Sequence, residues 1–221
     1  PLHWSQGNFY GNAAIINEYA WLWLHRDGTP TRLTRETYDR LFGPELGAEV
    51  YRRLYAGYFA ALTEKWRTMR RAAGVLYLCG LGYDIPAAVV ADNFIDVANL
   101  VFEPYFEDRA RDAFAPVAAY IDLWERQLRS GAERTLDIAV VNDLGTPWRG
   151  ILRMRLEDEG QPGTALLTSE SRIDVPAFGR YSIQWGLPVP SWEGRFRLVA
   201  ELDSGDGSRK TRSIREFSVN P

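Results

Sequence analysis

Apolar positions change rhythm partway along the chain. Up to about residue 130 they form long helical stripes separated by two compact apolar runs; beyond it they alternate in short segments punctuated by Gly, Pro and Asp. The shift falls near Ser130–Arg134, so two domains are expected, residues 1–131 and 132–221. The first compact run, Ala13–Leu24 (AAIINEYAWLWL), is β-branched and aromatic and reads as a buried strand leading into a loop, with a helix as the alternative at that length. His25–Gly28 reads as a turn. Thr34 is placed to cap a short helix that Gly43 and Pro44 end, since Gly suits the C-terminal position and Pro cannot continue the helix.

A long helix is expected from Glu45 to Arg71. Leu46, Val50, Leu54 and Tyr58 recur every four residues, and Tyr51, Tyr55, Phe59, Leu62, Trp66 and Met69 form a second stripe beside them. The second compact run, Gly74–Leu81 (GVLYLCGL), has no charge and suits a parallel strand covered on both faces. Strand, helices and strand in that order make a βαβ unit. After a loop over Asp92–Pro104, Phe114, Val117, Ile121, Trp124 and Leu128 predict a helix over Glu107–Arg129, kinked near its start by Pro116 and ended by Gly131. From Thr135 the period shortens. Thr135–Asp143, Trp148–Leu156, Ala165–Val175, Arg180–Trp185, Arg195–Leu202 and Ser213–Val219 read as strands of an antiparallel β-sandwich of immunoglobulin-like size.

Composition narrows the function classes. The 221 residues are 46% hydrophobic, 25% charged and 13% aromatic, the profile of a globular chain. A net charge of −3 without runs of like charge argues against nucleic acid or an anionic membrane as partner. One cysteine, Cys79, excludes an intrachain disulfide framework and reads as a small core residue, and two histidines add too few soft ligands for a zinc cluster. No metal or cofactor is expected. No run approaches the roughly 20 apolar residues that span a bilayer, and no export signal is recognisable. The chain begins at Pro1 and is expected to be a piece of a longer protein; His3 and Trp4 read as a ragged end.

Asn17-Glu18-Tyr19 is the polar insertion in the first apolar run. A carboxylate among Ile15, Ile16, Ala20, Trp21 and Trp23 is costly to desolvate, so Glu18 either meets solvent or an arginine at a strand end, or works there. Trp21 and Trp23, with Tyr83 at the end of the next strand, are large enough to stack on sugar rings, and each is equally suited to a core.

The segments INEYAWLWLHRDGTPTRLT, AAGVLYLCGLGYD and DNFIDVANLVFEPYFEDRARDAFAPVAAYIDLWE together resemble the C-terminal part of bacterial glycoside hydrolases of the family 2 type. The resemblance covers about residues 9–145, and NDLGTPWRG also fits the β-sandwiches appended to such enzymes. It implies an α/β plus all-β chain: the C-terminal portion of a (β/α)8 TIM barrel followed by an immunoglobulin-like β-sandwich. In that clan the nucleophile is a Glu at the end of strand seven, commonly followed by an aromatic residue, as in Glu18-Tyr19. The resemblance therefore implies that Glu18 is the catalytic nucleophile and that Asn17, Tyr19, Trp21, Trp23, Tyr83 and Asp84 contact a carbohydrate substrate. An Asn-Glu pair also marks the clan's acid/base residue at strand four, and that assignment of Glu18 stays open. The acid/base residue is expected upstream, because Glu103 reads as a loop brace and Asp84 as turn-like. The barrel half is expected to pack on the missing N-terminal part, and the resemblance implies a periplasmic or extracellular location.

A second reading belongs to a different class: a non-catalytic carbohydrate-binding or interaction module, its sandwich presenting Trp148, Trp185 or Trp192 to a glycan over a helical scaffold.

Overall fold

The computed structural model describes residues 13–77, 81–161 and 164–220; His3, Trp4 and Cys79 lie outside them. The first half is built from short strands and three helices. β1 (Ile15–Asn17) precedes α1 (Arg35–Phe42) and α2 (Ala48–Thr68), and β2 (Gly74–Leu76) returns beside β1. The two strands are parallel, Ile16 facing Val75, and the two intervening helices supply the long crossover that parallel pairing needs. They are much shorter than their apolar runs. Glu18 and Ala20 both take left-handed backbone (φ 58°), and this breaks β1 after Asn17. No eight-stranded barrel is present, since β1 and β2 pair only with each other among the described residues.

α2 buries the stripe of Tyr51, Tyr55 and Phe59, while Val50 and Tyr58 on the neighbouring stripe stay exposed. Phe59 is fully buried and meets Tyr19, Tyr77 and Phe106, so one aromatic cluster joins α2 to the residues that follow β1 and β2 and to the segment around residue 106. α1 ends where Gly43 adopts φ 86° and donates its N–H to Asp39. Its expected cap is absent: the Thr34 hydroxyl donates to the Trp23 carbonyl at 2.7 Å instead, tying the helix start to the segment after β1.

The hairpin of β3 (Phe94–Asp96) and β4 (Val101–Phe102) fills what the sequence suggested was loop, and α3 (Pro104–Ala113) follows. Glu103 caps α3, its carboxylate accepting from the N–H groups of Tyr105 at 3.1 Å and Phe106 at 2.7 Å. The helix expected over 107–129 stops at Ala113. Pro116 offers no N–H to a continuing helix and biases Ala115 toward extended backbone. Beyond it Val117–Ile121 forms β5, with all five residues buried, and Gln127–Arg129 forms β6. A three- and four-residue stripe through a continuous apolar run fits a fully buried strand equally well, and here pairing decides.

β5 pairs antiparallel with β7 (Glu133–Asn142), and β10 (Arg180–Pro188) pairs with the other edge of β7. The second sheet has the order β6, β12 (Thr211–Asn220), β11 (Gly194–Asp203), β8 (Trp148–Asp158), β9 (Ala165–Val175). Between the sheets, Leu136, Ile138 and Val140 meet Leu152, Met154, Leu156, Phe196 and Leu198, with polar residues alternating outward. The outward face of the larger sheet carries a ladder in which Arg153 pairs with Glu170 and Glu201, and Arg155 and Arg197 pair with Glu157.

The two halves meet through a buried ion pair. Arg215 of β12 donates to Glu64 of α2 at 2.7 Å, and Ser213 donates to the same carboxylate oxygen, also at 2.7 Å. Both charged side chains are almost fully enclosed, and Arg215 also donates to the Ile121 carbonyl at 3.1 Å. Such a pair tolerates no loss of one partner, because the other charge would be stranded in a dry interior.

Candidate functional site

Glu18 follows the last residue of β1, at the end of the strand where the chain leaves the parallel pair. It is exposed and makes no hydrogen bond or ion pair with the described residues. A non-glycine residue with φ 58° is strained by about 1–3 kcal/mol, so its surroundings hold it there. The anchor is Tyr19. Its ring is buried and stacks on Phe59 at 5.9 Å, and its hydroxyl bonds to Thr63 at 2.6 Å. Burial raises the Tyr19 pKa above the ordinary phenol value, so the hydroxyl stays neutral.

The other expected contact residues divide into two groups. Asn17, Trp21 and Tyr83 are exposed, Trp21 at 51% and Tyr83 at 56%, and are open to a ligand. Tyr19 and Trp23 are buried, Trp23 at 2%, so they are core residues and lie outside reach of a ligand on this chain's surface. Trp21 stacks on Trp23 with centroids 5.8 Å apart, so the buried ring supports the exposed one. Trp23 Nε1 has no acceptor among the described residues.

Asp84 is also committed within the fold. One carboxylate oxygen faces His25 Nδ1 at 2.5 Å, and the other accepts the Arg26 N–H at 3.0 Å. Arg26 in turn donates to Asp92 at 2.6 Å, and Asp92 accepts the N–H groups of Phe94 and Gly82. Burial alone would raise the Asp92 pKa; the Arg26 guanidinium and the two backbone donors outweigh it and hold the carboxyl below its usual value. Arg52 of α2 closes the network by donating to the Arg26 carbonyl at 2.7 Å. His25 and Arg26 lie in the expected turn, where Gly28 adopts φ 87°; a Cβ there would come within 2.7 Å of Ala48. His25 and Arg26 were not among the expected site residues. The sequence holds only a weak cue for them, the HRDG turn that follows an apolar run.

A groove of about 470 Å³ opens at this point, lined by His25, Thr29, Arg32, Arg35, Asp84 and Ile85. A second of about 580 Å³ lies between the halves, where Arg53, Arg109, Arg197 and Arg212 face Glu157, Glu159, Glu216 and Asp108. Of the tryptophans weighed for glycan binding, Trp148 and Trp185 pack against the sandwich core, Trp185 donating to Ser169 at 2.9 Å, and Trp192 is 48% exposed. Among the described residues no cluster of acidic, histidine or cysteine side chains could hold a metal ion.

No family model and no curated protein matches the chain. Among solved structures, a Paenibacillus sp. cycloisomaltooligosaccharide glucanotransferase aligns at 13% identity and TM-score 0.37, over 46% of this chain and 13% of its own. A Listeria innocua β-glucosidase aligns at 10% identity and TM-score 0.38, over 49% of this chain and 16% of its own. A CARDB domain from Pyrococcus furiosus aligns at 14% identity and TM-score 0.37, over 47% of this chain and 85% of its own. Similarity at that level assigns no activity.

Proposed function

We propose that this chain is the C-terminal part of a retaining glycoside hydrolase, that β1 and β2 are the last two strands of its β/α barrel, and that Glu18 is the nucleophile. The observation that carries the reading is Glu18 itself: an exposed carboxylate with no partner among the described residues, in strained backbone at the end of a parallel strand, where barrel enzymes keep their chemistry. The sequence resemblance supports it, as does the bare surface of the strand pair. Parallel sheets are normally covered on both faces, yet Ile15 is 53% and Leu76 54% exposed. Further barrel strands would cover them.

In this mechanism the Glu18 carboxylate attacks the anomeric carbon and forms a glycosyl ester as the aglycone oxygen leaves. A second carboxylic acid, about 5–5.5 Å away, protonates that oxygen and then takes a proton from the water that cleaves the ester. Glu103 is spent on capping α3 and Asp84 on His25 and Arg26, so the second acid belongs to the upstream segment. Trp21 and Tyr83 offer ring faces to the sugar, and Asn17 offers an amide to its hydroxyls.

The test uses the parent protein carrying the upstream segment. Glu18→Ala abolishes turnover of unactivated glycosides, and azide then converts an activated aryl glycoside into a glycosyl azide of inverted configuration. A glycosyl azide of retained configuration reassigns Glu18 as the acid/base. Near-normal turnover removes Glu18 from the chemistry.

A further inference from the structure

We infer that the groove between the turn after β1 and the loop after β2 binds an oxyanion, a carboxylate, sulfate or phosphate group carried by the ligand. The evidence is a contrast in how arginines are used. In the larger groove between the halves every arginine is matched: Arg53 to Glu159, Arg109 to Glu216, Arg197 to Glu157, Arg212 to Asp108 and Asp112. In the smaller groove Arg32 and Arg35 are both exposed and neither has a carboxylate partner among the described residues. Arg35 spends one N–H on the Pro30 carbonyl at 3.3 Å, and the rest of its planar fork stays open.

The carboxylates in the same groove are turned to other partners. Asp27 accepts the Thr29 N–H at 2.8 Å and its hydroxyl at 2.7 Å, and Asp84 holds His25 and the Arg26 N–H. An arriving oxyanion therefore meets two guanidinium groups without displacing an internal ion pair. Asp84 at Nδ1 also fixes how the His25 ring sits, leaving Nε2 for the groove's occupant or for water. The walls are set by the fold: Gly28 closes the turn, and Thr31 and Thr34 are tied to the carbonyls of Val89 and Trp23. About 470 Å³ suits a ligand of monosaccharide size. The inference rests on the glycosidase reading only in taking the bearer of the anion to be a sugar; the anion site stands on the groove.

The test titrates the full chain with sodium sulfate, D-glucuronate and D-glucose in a low-salt buffer, following the ring signals of His25 by NMR; His3 is the only other histidine and serves as reference. Sulfate or glucuronate is expected to give a saturable shift at His25, and glucose none. A tighter response to glucuronate identifies a sugar-borne carboxylate, and a tighter response to sulfate a tetrahedral anion. Arg32→Ala with Arg35→Ala weakens the anion response by about tenfold at unchanged melting temperature, and Arg40→Ala, outside the groove on the same helix, leaves it unchanged. No saturable shift with either anion, an equal response to glucose, or an equal loss in Arg40→Ala overturns the inference. Neither readout involves hydrolysis, so loss of the Glu18 mechanism and loss of the anion site are told apart.

Discussion

His25 Nδ1 and Asp84 Oδ1 stand 2.5 Å apart and join the turn after β1 to the loop after β2. The second Asp84 oxygen accepts the Arg26 N–H, so one carboxylate organises both sides of the groove. Asp84→Ala is expected to lower stability by about 1–3 kcal/mol by leaving part-buried donors unsatisfied. Hydrogen exchange reads it directly: the Arg26 amide loses protection, and undiminished protection there contradicts the role given to Asp84.

Glu64 and Arg215 carry the junction between the halves. Glu64→Gln leaves the Arg215 guanidinium enclosed without a counter-charge and should cost about 3–5 kcal/mol in urea unfolding. Glu64→Met combined with Arg215→Leu should recover most of that loss, since two apolar groups replace two desolvated charges. A double variant as unstable as the single one would show that the pair acts through something other than charge compensation.

The strain at Glu18 has its own signature. Glu18→Gly should be more stable than Glu18→Ala by about 0.5–1 kcal/mol, since only glycine takes φ 58° without penalty and both variants remove the same carboxylate. Equal stability of the two variants in thermal denaturation would mean that the left-handed backbone stores nothing at this position.

Acid should unfold the chain partly through Asp92. Its carboxyl titrates lower in the folded protein than in the unfolded chain, so on acidification the unfolded chain takes up the proton first. The stabilisation is full above the unfolded value and is lost as pH falls through the folded one. Asp143, held low by Arg67 and Arg70 against the opposing effect of burial, acts in the same sense. Asp92→Asn should flatten the fall in unfolding free energy as pH drops below the ordinary aspartate value of about 3.9, and an unchanged slope counts against Asp92 as a contributor.

The sandwich strands after Thr135 were legible because alternation of apolar and polar residues is a direct imprint of a sheet with one face in a core. α2 was legible for the parallel reason at helical period, and α1 from the Gly43 stop, although its expected Thr34 cap is absent. Val117–Ile121 was misread because a strand buried on both faces has no alternation, and only its pairing with β7 distinguishes it from a helix. At the site, a carboxylate among apolar neighbours pointed to Glu18 meeting solvent or a partner at the strand end, and it is exposed. The burial of Tyr19 and Trp23 was not foreseeable, because an aromatic residue carries the same signal in a core as on a binding face. The role of His25 leaves no local signal, because its partner Asp84 lies 59 residues away, across two helices.

The reach of the Glu64–Arg215 pair also bears on the order in which the molecule can be completed. Arg215 is made 151 residues after Glu64, on the last strand among the described residues. At ordinary translation speeds that interval is on the order of ten seconds, long compared with the folding of a helix or hairpin. During it α2 emerges with a carboxylate that its eventual environment excludes from water. The helical half can therefore collapse early, but this contact forms only once β12 has left the ribosome, and a chain cut short before Arg215 leaves Glu64 without its counter-charge.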